Sequence, residues 1–395
     1  MPGSTDPLLA RLLELIDGQL AQAVQLRHRL HEQPELAHDE LRTAAIVADA
    51  LPVACTTVAG TGRIARIGPD SGSVLAIRAE LDGLPIHERT NAPFSAGGET
   101  MHACGHDVHM AALVALARAA HTLAGDLPAP LLAIFQPSEE AFPSGAEQLA
   151  REELAAWAPA AVLAAHVHPE LPWGAVALDA GAVNASSDSV EIVVEGEPSH
   201  GAYPHHGRDP ILAIAQIVVA LHALAARRID PLAPTVLNVG VLEGGGAENV
   251  IPPRARARAT IRAHRPQDRA ALRELVAEVV VGVAAAHGCR GSAELVPGEP
   301  ALENDPRIVA RTRALLAQAG FEAAREWRSC GSDDFSFYGE IAPVAMAFVG
   351  LDGAPGFSAR PLHHPELLPP DEAVGAIARA QAVLYVGAAE SLAAG

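Results

Sequence analysis

"MHACGHDVHMAALVALARAAHTLA" runs from residue 101 to residue 124 and carries two messages. Its second part is apolar and alanine-rich with helical spacing, and short apolar runs flank it, "SVLAIRAE" at 73–80 and "PLLAIFQ" at 130–136. Further on, "AAVLAAHV" (160–167) and "VAMAFVG" (344–350) read as two more buried strands. Strands alternating with helices predict an α/β fold, a mainly parallel sheet covered on both faces. In such sheets ligands gather beyond the carboxyl ends of the strands. Residues 7–31 and 38–51 read as helices that add to the cover.

The first part of the stretch speaks of chemistry. Cys104 and His106 are two apart, a spacing that points side chains to different sides of a helix, so they converge only from a loop. Gly105 permits an unusual turn there, and Asp107 is a good cap for a helix beginning near Val108. A lone cysteine or histidine is more often simply packed, yet a thiolate and an imidazole offered together suit a borderline divalent cation. "IFQPSEE" then ends a strand with adjacent carboxylates, Glu139 and Glu140. Paired acids are ordinarily a solvated loop; beside a metal one can coordinate while its neighbour takes a proton from water. "LAAHVHPELPWG" sets His166 and His168 at the next strand end, and "ARPLHHPE" sets His363 and His364 in a loop after the last. If the strands are parallel neighbours, Cys104, His106, Glu140, His166 and one of the last two histidines share a crevice. Five ligands exceed what one tetrahedral ion requires, which leaves two ions, or one octahedral ion with extras.

Between these strands the pattern changes. Strand "SVEIVVEG", helix "DPILAIAQIVVALHALAARR", strands "PTVLNVGVLE" and "RARARATIRAH", helix "QDRAALRELVAEVVVGVAAAHG" and strand "GSAELV" give the order βαββαβ. That is the split, ferredoxin-like α+β arrangement. It predicts an inserted domain at 185–295 and a discontinuous catalytic domain at 1–184 and 296–395, joined through "DAGAVNASSDS" and "VPGEPALENDP". With period 2, Arg254, Arg256, Arg258, Thr260, Arg262 and His264 share one face of their strand, a solvated or interface face in the plainest reading.

The totals narrow the function. A chain of 395 residues favours two or three domains. The net charge of −19 argues against nucleic acid or an anionic membrane as partner, and an anionic substrate would need a local basic feature. No apolar run approaches the roughly 18 residues of a membrane span. The N-terminus lacks a cationic start before an apolar block, and Cys55, Cys104, Cys289 and Cys330 form no CxxC pair, so a cytoplasmic location is expected.

"MHACGHDVHMAAL", "FQPSEE", "HVHPELPWG", "SHGAYPHHGRDPI", "GGGAENVIP" and "LHHPE" resemble the successive motifs of peptidase family M20, in its D branch of amidohydrolases. That branch includes hippurate hydrolases, N-acyl-amino-acid amidohydrolases, indole-acetyl-amino-acid hydrolases and N-acetyl-diaminopimelate deacetylases. The likeness runs from about Arg27, in "RHRLHEQPEL", to about Glu372. It implies a metallopeptidase-type catalytic domain in which Cys104, His106, Glu140, His166 and His363 hold two divalent ions, Zn²⁺ or Mn²⁺ with Ni²⁺ or Co²⁺ as alternatives. His363 is preferred to His364 because the first histidine of "LHHPE" matches the family pattern. Glu139 becomes the general base, and Asp82, in "RAELDGLP", a residue that orients a ligand from behind. Arg262 matches a clamp for the substrate's carboxylate. Asn249 and His200 match residues of the inserted domain that reach the scissile amide or the carboxylate, His200 donating to the developing oxyanion. His102, His109 and His168 are expected to be structural, and His205 to fix the loop before its helix.

The implied reaction is hydrolysis of the amide of an N-acyl (acetyl, benzoyl or aryl-acetyl) amino acid or of a small peptide. The resemblance also implies a homodimer formed through the inserted domain, which acts as lid and dimerisation element. Three departures stand out: Glu80 and Asp333 exchange the usual acids of the family pattern, and "EPSH" replaces a glycine-rich run. Two other readings compete, a cysteine-nucleophile amidase using Cys104 and an inactive metal-bound dimeric binding module. The first leaves the acidic pair and the strand-end histidines without a job, and retention of Glu139 with the full ligand set argues against the second.

Overall fold

A computed structural model describes residues 6–393, so the outermost expected domain limits, residues 1 and 395, lie outside it. The chain divides into two compact units. One takes the chain up to Gly181, Glu303–Trp327 and the part from Asp334 onward; the other takes Ala182–Leu302 and Arg328–Asp333.

The first unit is built on an eight-stranded mixed sheet whose centre is parallel. Leu131–Gln136, Val74–Glu80, Pro159–Pro172 and Val344–Asp352 lie side by side in that order, each parallel to its neighbour. Every residue of Val74–Glu80 and of Leu131–Gln136 is buried, the pattern of strands covered on both faces. Val74–Glu80 is followed by helix His106–Thr122 and by Leu131–Gln136 on one side, after which the chain crosses to Pro159–Pro172 on the other. That reversal opens a crevice beyond the carboxyl ends of the strands. Helices Pro7–His31, His106–Thr122 and Glu372–Ala393 send Leu9, Ile16, Val108, Leu113, Ile377 and Leu384 into the core. Pro7–His31 starts cleanly because Asp6 caps it, accepting the Leu9 amide at 2.7 Å, with Pro7 at its first position.

Two local expectations are corrected. The second helix begins at Leu41 rather than 38, because His38 sits in the left-handed region (φ 70°) and gives its amide to Ser138. Asp107 is not the cap of the next helix: Gly105 is, at φ 87°, and the helix begins at His106. The Asp107 carboxylate instead accepts Arg27 Nε and His31 Nδ1, both at 2.9 Å, in a fully buried cluster. Burial favours its neutral form, but His31 and Arg27 outweigh this and hold Asp107 well below the usual carboxylate range. Tertiary partners took a side chain that local propensity assigned to the helix end.

The second unit carries a four-stranded antiparallel sheet, in the order Thr235–Gly244, Arg254–Ala263, Ser186–Glu195, Arg290–Pro297. Helices Pro210–Arg228 and Pro266–Ala286 pack on it through Ile214, Ile217, Leu221, Leu275, Val276 and Val280. The alternation along Arg254–Ala263 is clear, with Arg254, Arg256 and Arg258 exposed and the intervening alanines buried. Helix Pro210–Arg228 is long and apolar enough to cross a membrane by composition, and 28% of it is buried in the chain. Limits differ from 185–295: the unit runs on to Leu302 and regains 328–333, where Ser329 donates to the Val183 carbonyl at 2.8 Å. Residues 186–189, read above as linker, belong to the first strand.

Asp188 explains why that strand begins so early. Its buried carboxylate accepts from Arg269 and Arg273, with Arg273 Nε at 2.8 Å, and burial is outweighed by these hydrogen bonds so that its pKa falls to about 2. Removing one member of such a cluster leaves charge uncompensated. Asp188→Asn is expected to destabilise this unit by about 2–4 kcal/mol, the arginines being only partly buried. A carboxyl held low stabilises fully above its unfolded pKa of roughly 4, and less as pH falls towards 2. Urea titrations should therefore show the gap between wild type and Asp188→Asn at pH 7 and its narrowing below about pH 3.

Candidate metal centre

The central parallel strands of the first unit and the loops that leave them deliver the ionisable side chains. Asp82 follows Val74–Glu80, the 101–106 loop leads into the crossover helix, Glu139 and Glu140 follow Leu131–Gln136, His166 lies midway along Pro159–Pro172, and His363 comes from the loop after Val344–Asp352. The ligand atoms of Cys104, His106 and His166 lie within 4.8 Å of one another, and so do those of Cys104, Glu140 and His363. Cys104 is common to both groups. His106, Glu139 and Glu140 form a third. The five residues expected as ligands are thus gathered, with Glu139 among them.

Each imidazole is aimed by its other nitrogen. His106 donates Nδ1–H to the Asp82 carbonyl at 2.8 Å, which leaves Nε2 buried without a hydrogen bond and 3.8 Å from Glu139 Oε2. His166 donates Nδ1–H to the Val167 carbonyl at 2.6 Å and turns Nε2 to Cys104 Sγ at 3.5 Å. His363, in the left-handed region at φ 66°, is pinned by its amide to the Ala103 carbonyl at 2.8 Å and brings Nε2 to 3.2 Å from Glu140 Oε1. Glu140 Oε1 is also buried without a hydrogen bond. His364 instead accepts the Glu366 amide. Asp82 serves twice, since its Oδ2 accepts the Glu140 amide at 2.9 Å. Lone pairs on nitrogen, sulfur and oxygen, buried and pointed at one another, fit divalent cations.

The electrostatics agree. Burial alone would lower His106, but Glu80, Asp82 and Glu140 raise it to about 10, the mark of a pocket in which acids outnumber cations. His166 moves the other way, well below the ordinary range, through burial and the neighbouring His109.

His109 forms a fourth possible group with Glu80 and His166, yet its bonds are spent. Val167 N–H donates to Nε2 at 3.0 Å, so Nδ1 carries the proton and donates to Glu80 at 2.8 Å. Glu80 is thereby explained: despite burial, Arg78 and His109 keep it ionised, and it fixes the backbone beside His166. His102 is buried, with neither ring nitrogen hydrogen-bonded, and burial lowers its pKa to about 4. His168 packs against Trp327 and Phe348.

His200, Asn249 and Arg262 belong to the second unit. Its small two-stranded ribbon pairs His200 with Val250, and Gly201 donates to the Asn249 carbonyl at 2.7 Å, so His200 and Asn249 are neighbours, both exposed. Arg262 Nη1 reaches the Cys330 carbonyl and Ser332 Oγ, each at 3.2 Å. Sequence reasoning gave no role to Arg27, His31 or Arg78; Arg78 is a charge inside an otherwise apolar run, whereas Arg27 and His31 sit in the polar stretch "RHRLHEQ" and do not stand out from it.

Residues 76–384 match the family described as peptidase family M20/M25/M40. The chain is 32% identical over 358 residues to the N-acetylcysteine deacetylase of Bacillus subtilis, covering 89% of this chain and 92% of that one. It is 31% identical to the N-acetyldiaminopimelate deacetylase of Bacillus licheniformis, over 93% and 98% of the two chains. Among solved structures it resembles the Bacillus subtilis YXEP protein, described as a dinuclear metal-binding peptidase of the M20 family, with a TM-score of 0.83, 30% identity and coverage of 95% and 99%.

Gly105 lets the loop turn inward between Cys104 and His106. A Cβ there would lie 2.5 Å from Val167 Cγ2, on a backbone at φ +87°. Gly105→Ala should cost about 2–4 kcal/mol from left-handed strain and overpacking together. Thermal melts of Gly105→Ala and of Gly105→Ala/Val167→Ala should show partial recovery in the double variant, which relieves the clash but not the strain.

Proposed function

The chain belongs to peptidase family M20/M25/M40, and from that premise we propose that it hydrolyses the amide of small N-acyl amino acids, acetyl, benzoyl or aryl-acetyl, with Glu139 as general base. What carries the reading is the pair of ligand groups that meet at Cys104, with Glu139 beside them. Cys104, His106, Glu140, His166 and His363 would hold two divalent ions, Zn²⁺ or Mn²⁺ by the mixed S, N and O donor set, with Ni²⁺ or Co²⁺ as alternatives. Bound there, the ions supply Lewis acidity for the scissile carbonyl and lower the pKa of water.

Glu139 takes a proton from the attacking water as its oxygen bonds to the carbonyl carbon. The same carboxyl then gives that proton to the nitrogen as the C–N bond breaks, releasing an acid and an amino acid. His200 donates a hydrogen bond to the oxygen that gains charge, a stabilisation specific to the transition state. Arg262 and Asn249 hold the amino acid's carboxylate. The Cys104–His166 contact would also suit a thiol nucleophile, a reading in which chelators leave activity intact and thiol reagents abolish it.

The reading extends to assembly and place. A homodimer through the second unit is supported by the exposed Leu212 and Val219, which lie seven residues apart on one face of helix Pro210–Arg228 and suit an isologous contact. A cytoplasmic location is supported by four cysteines outside any disulfide.

Glu139→Ala should retain its metal by elemental analysis and lose kcat by about 10²- to 10⁴-fold. His166→Ala should lose metal as well. Arg262→Ala should raise KM for a substrate with a free α-carboxylate by about 10- to 100-fold, and little for its methyl ester.

A further inference from the structure

The peptide just before Glu139 is held more tightly than any feature of its own sequence demands. Ser138 stands in the left-handed region at φ 52°, a conformation costly for a residue with a Cβ. Its amide donates to Glu40 Oε1 at 2.8 Å, and its hydroxyl accepts the His38 amide at 2.9 Å. The hydroxyl proton faces His38 Nδ1 at 2.9 Å, with Glu40 Oε1 at 3.4 Å beyond it. Glu40 is fully buried, and its second oxygen accepts Thr61 Oγ1 at 2.6 Å. Neighbouring Pro137 is gripped by two glycines: a Cβ at Gly62 would lie 2.9 Å from its Cδ, and one at Gly145 would lie 1.8 Å from its carbonyl oxygen. On the far side of Glu139, the Glu140 amide is tied to Asp82.

A buried carboxylate with two neutral donors and no ion pair among the described residues is an expensive thing to keep. Here it stabilises one strained peptide, and that peptide sets the direction of Glu139. We propose that Glu40, supported by His38, is a positioning residue for the general base, acting through the Ser138 backbone. This rests on the assignment of Glu139 above. Glu40→Gln replaces one acceptor oxygen by an NH₂ group, which can satisfy only one of the two donors. The Glu139 carboxylate then loses its fixed bearing on water and amine, while the cation ligands keep theirs.

Glu40→Gln should lower kcat by about 10- to 100-fold, the size expected when a reacting group is misplaced by an ångström, with KM and metal content little changed. Backbone amide exchange in the peptide 137–145 should quicken in the metal-loaded protein. In the Glu139→Ala background the same substitution should change the residual rate by less than about twofold, because the two residues act as one. The proposal is overturned by an unchanged kcat and exchange in Glu40→Gln, or by a kcat loss that recurs in full on top of Glu139→Ala. Should Glu40→Gln not fold, His38→Ala, at an exposed position, gives the same readings in weaker form, and wild-type exchange and kcat there also overturn it. A vigorous Glu139→Ala enzyme would instead remove the base assignment, leaving the exchange result to report on the bracket alone.

Discussion

Arg78 is a guanidinium buried in the middle of a parallel sheet, and both halves of the candidate site hang from it. Nε donates to Gln136 at 2.9 Å, Nη2 to Asp334 at 2.7 Å, and Nη1 to Glu80. Through Glu80 and His109 it reaches the Val167 amide and so the strand end that carries His166. Through Asp334 it reaches Ser144 and the Ala146 amide, the start of the short helix after the acidic pair. A buried guanidinium is tolerated only when its donors are met, and here they are met by groups that each hold another part of the crevice. Loss of Arg78 would take the guanidinium from two buried carboxylates at once, leaving Glu80 to His109 and Asp334 to its neutral donors.

The same logic orders the ring of histidines. Each has two nitrogens and one fixed donor bond, so the partner of one nitrogen decides what the other can do. His106 and His166 give their Nδ1–H to backbone carbonyls, which frees Nε2 towards the crevice. His109 accepts a backbone amide on Nε2 and is thereby taken out of the ligand pool, although it lies within reach. Three chemically identical side chains on adjacent elements acquire two different roles from whether the backbone offers oxygen or N–H.

How much of this could be read from the chain follows from the range of each interaction. The four parallel strands were legible because each carries a short run dominated by apolar residues, and the second unit because helix and strand periods alternate cleanly within it. The gathering of Cys104, Glu140, His166 and His363 followed from strand ends sharing one edge of a sheet. What escaped were side chains whose partners lie far along the chain. Asp107 satisfies every local rule for a helix cap, yet Arg27, 80 residues away, claims it. Glu40 and Arg78 read as ordinary charges, since nothing near them in sequence announces Ser138 or Asp334. The return of 328–333 to the second unit was equally hidden, because "RSCGSD" has no period to follow.

A chain of net charge −19 repels anions at long range, and salt screens that field within about 10 Å, so capture of the amino-acid carboxylate proposed above would depend on a guanidinium met at close quarters. Of the exposed arginines of the same strand, Arg256 already pairs with Glu243 at 2.5 Å. Arg262 differs in the company it keeps. The acceptors on its Nη1 are a carbonyl and a hydroxyl, which orient the guanidinium without cancelling its charge. Burial, only partly offset by Arg262, holds the Glu299 carboxyl above the ordinary range. An arginine aimed by neutral groups is pre-organised for a bidentate anion in a way that one bound to glutamate is not, and this separates Arg262 from Arg256.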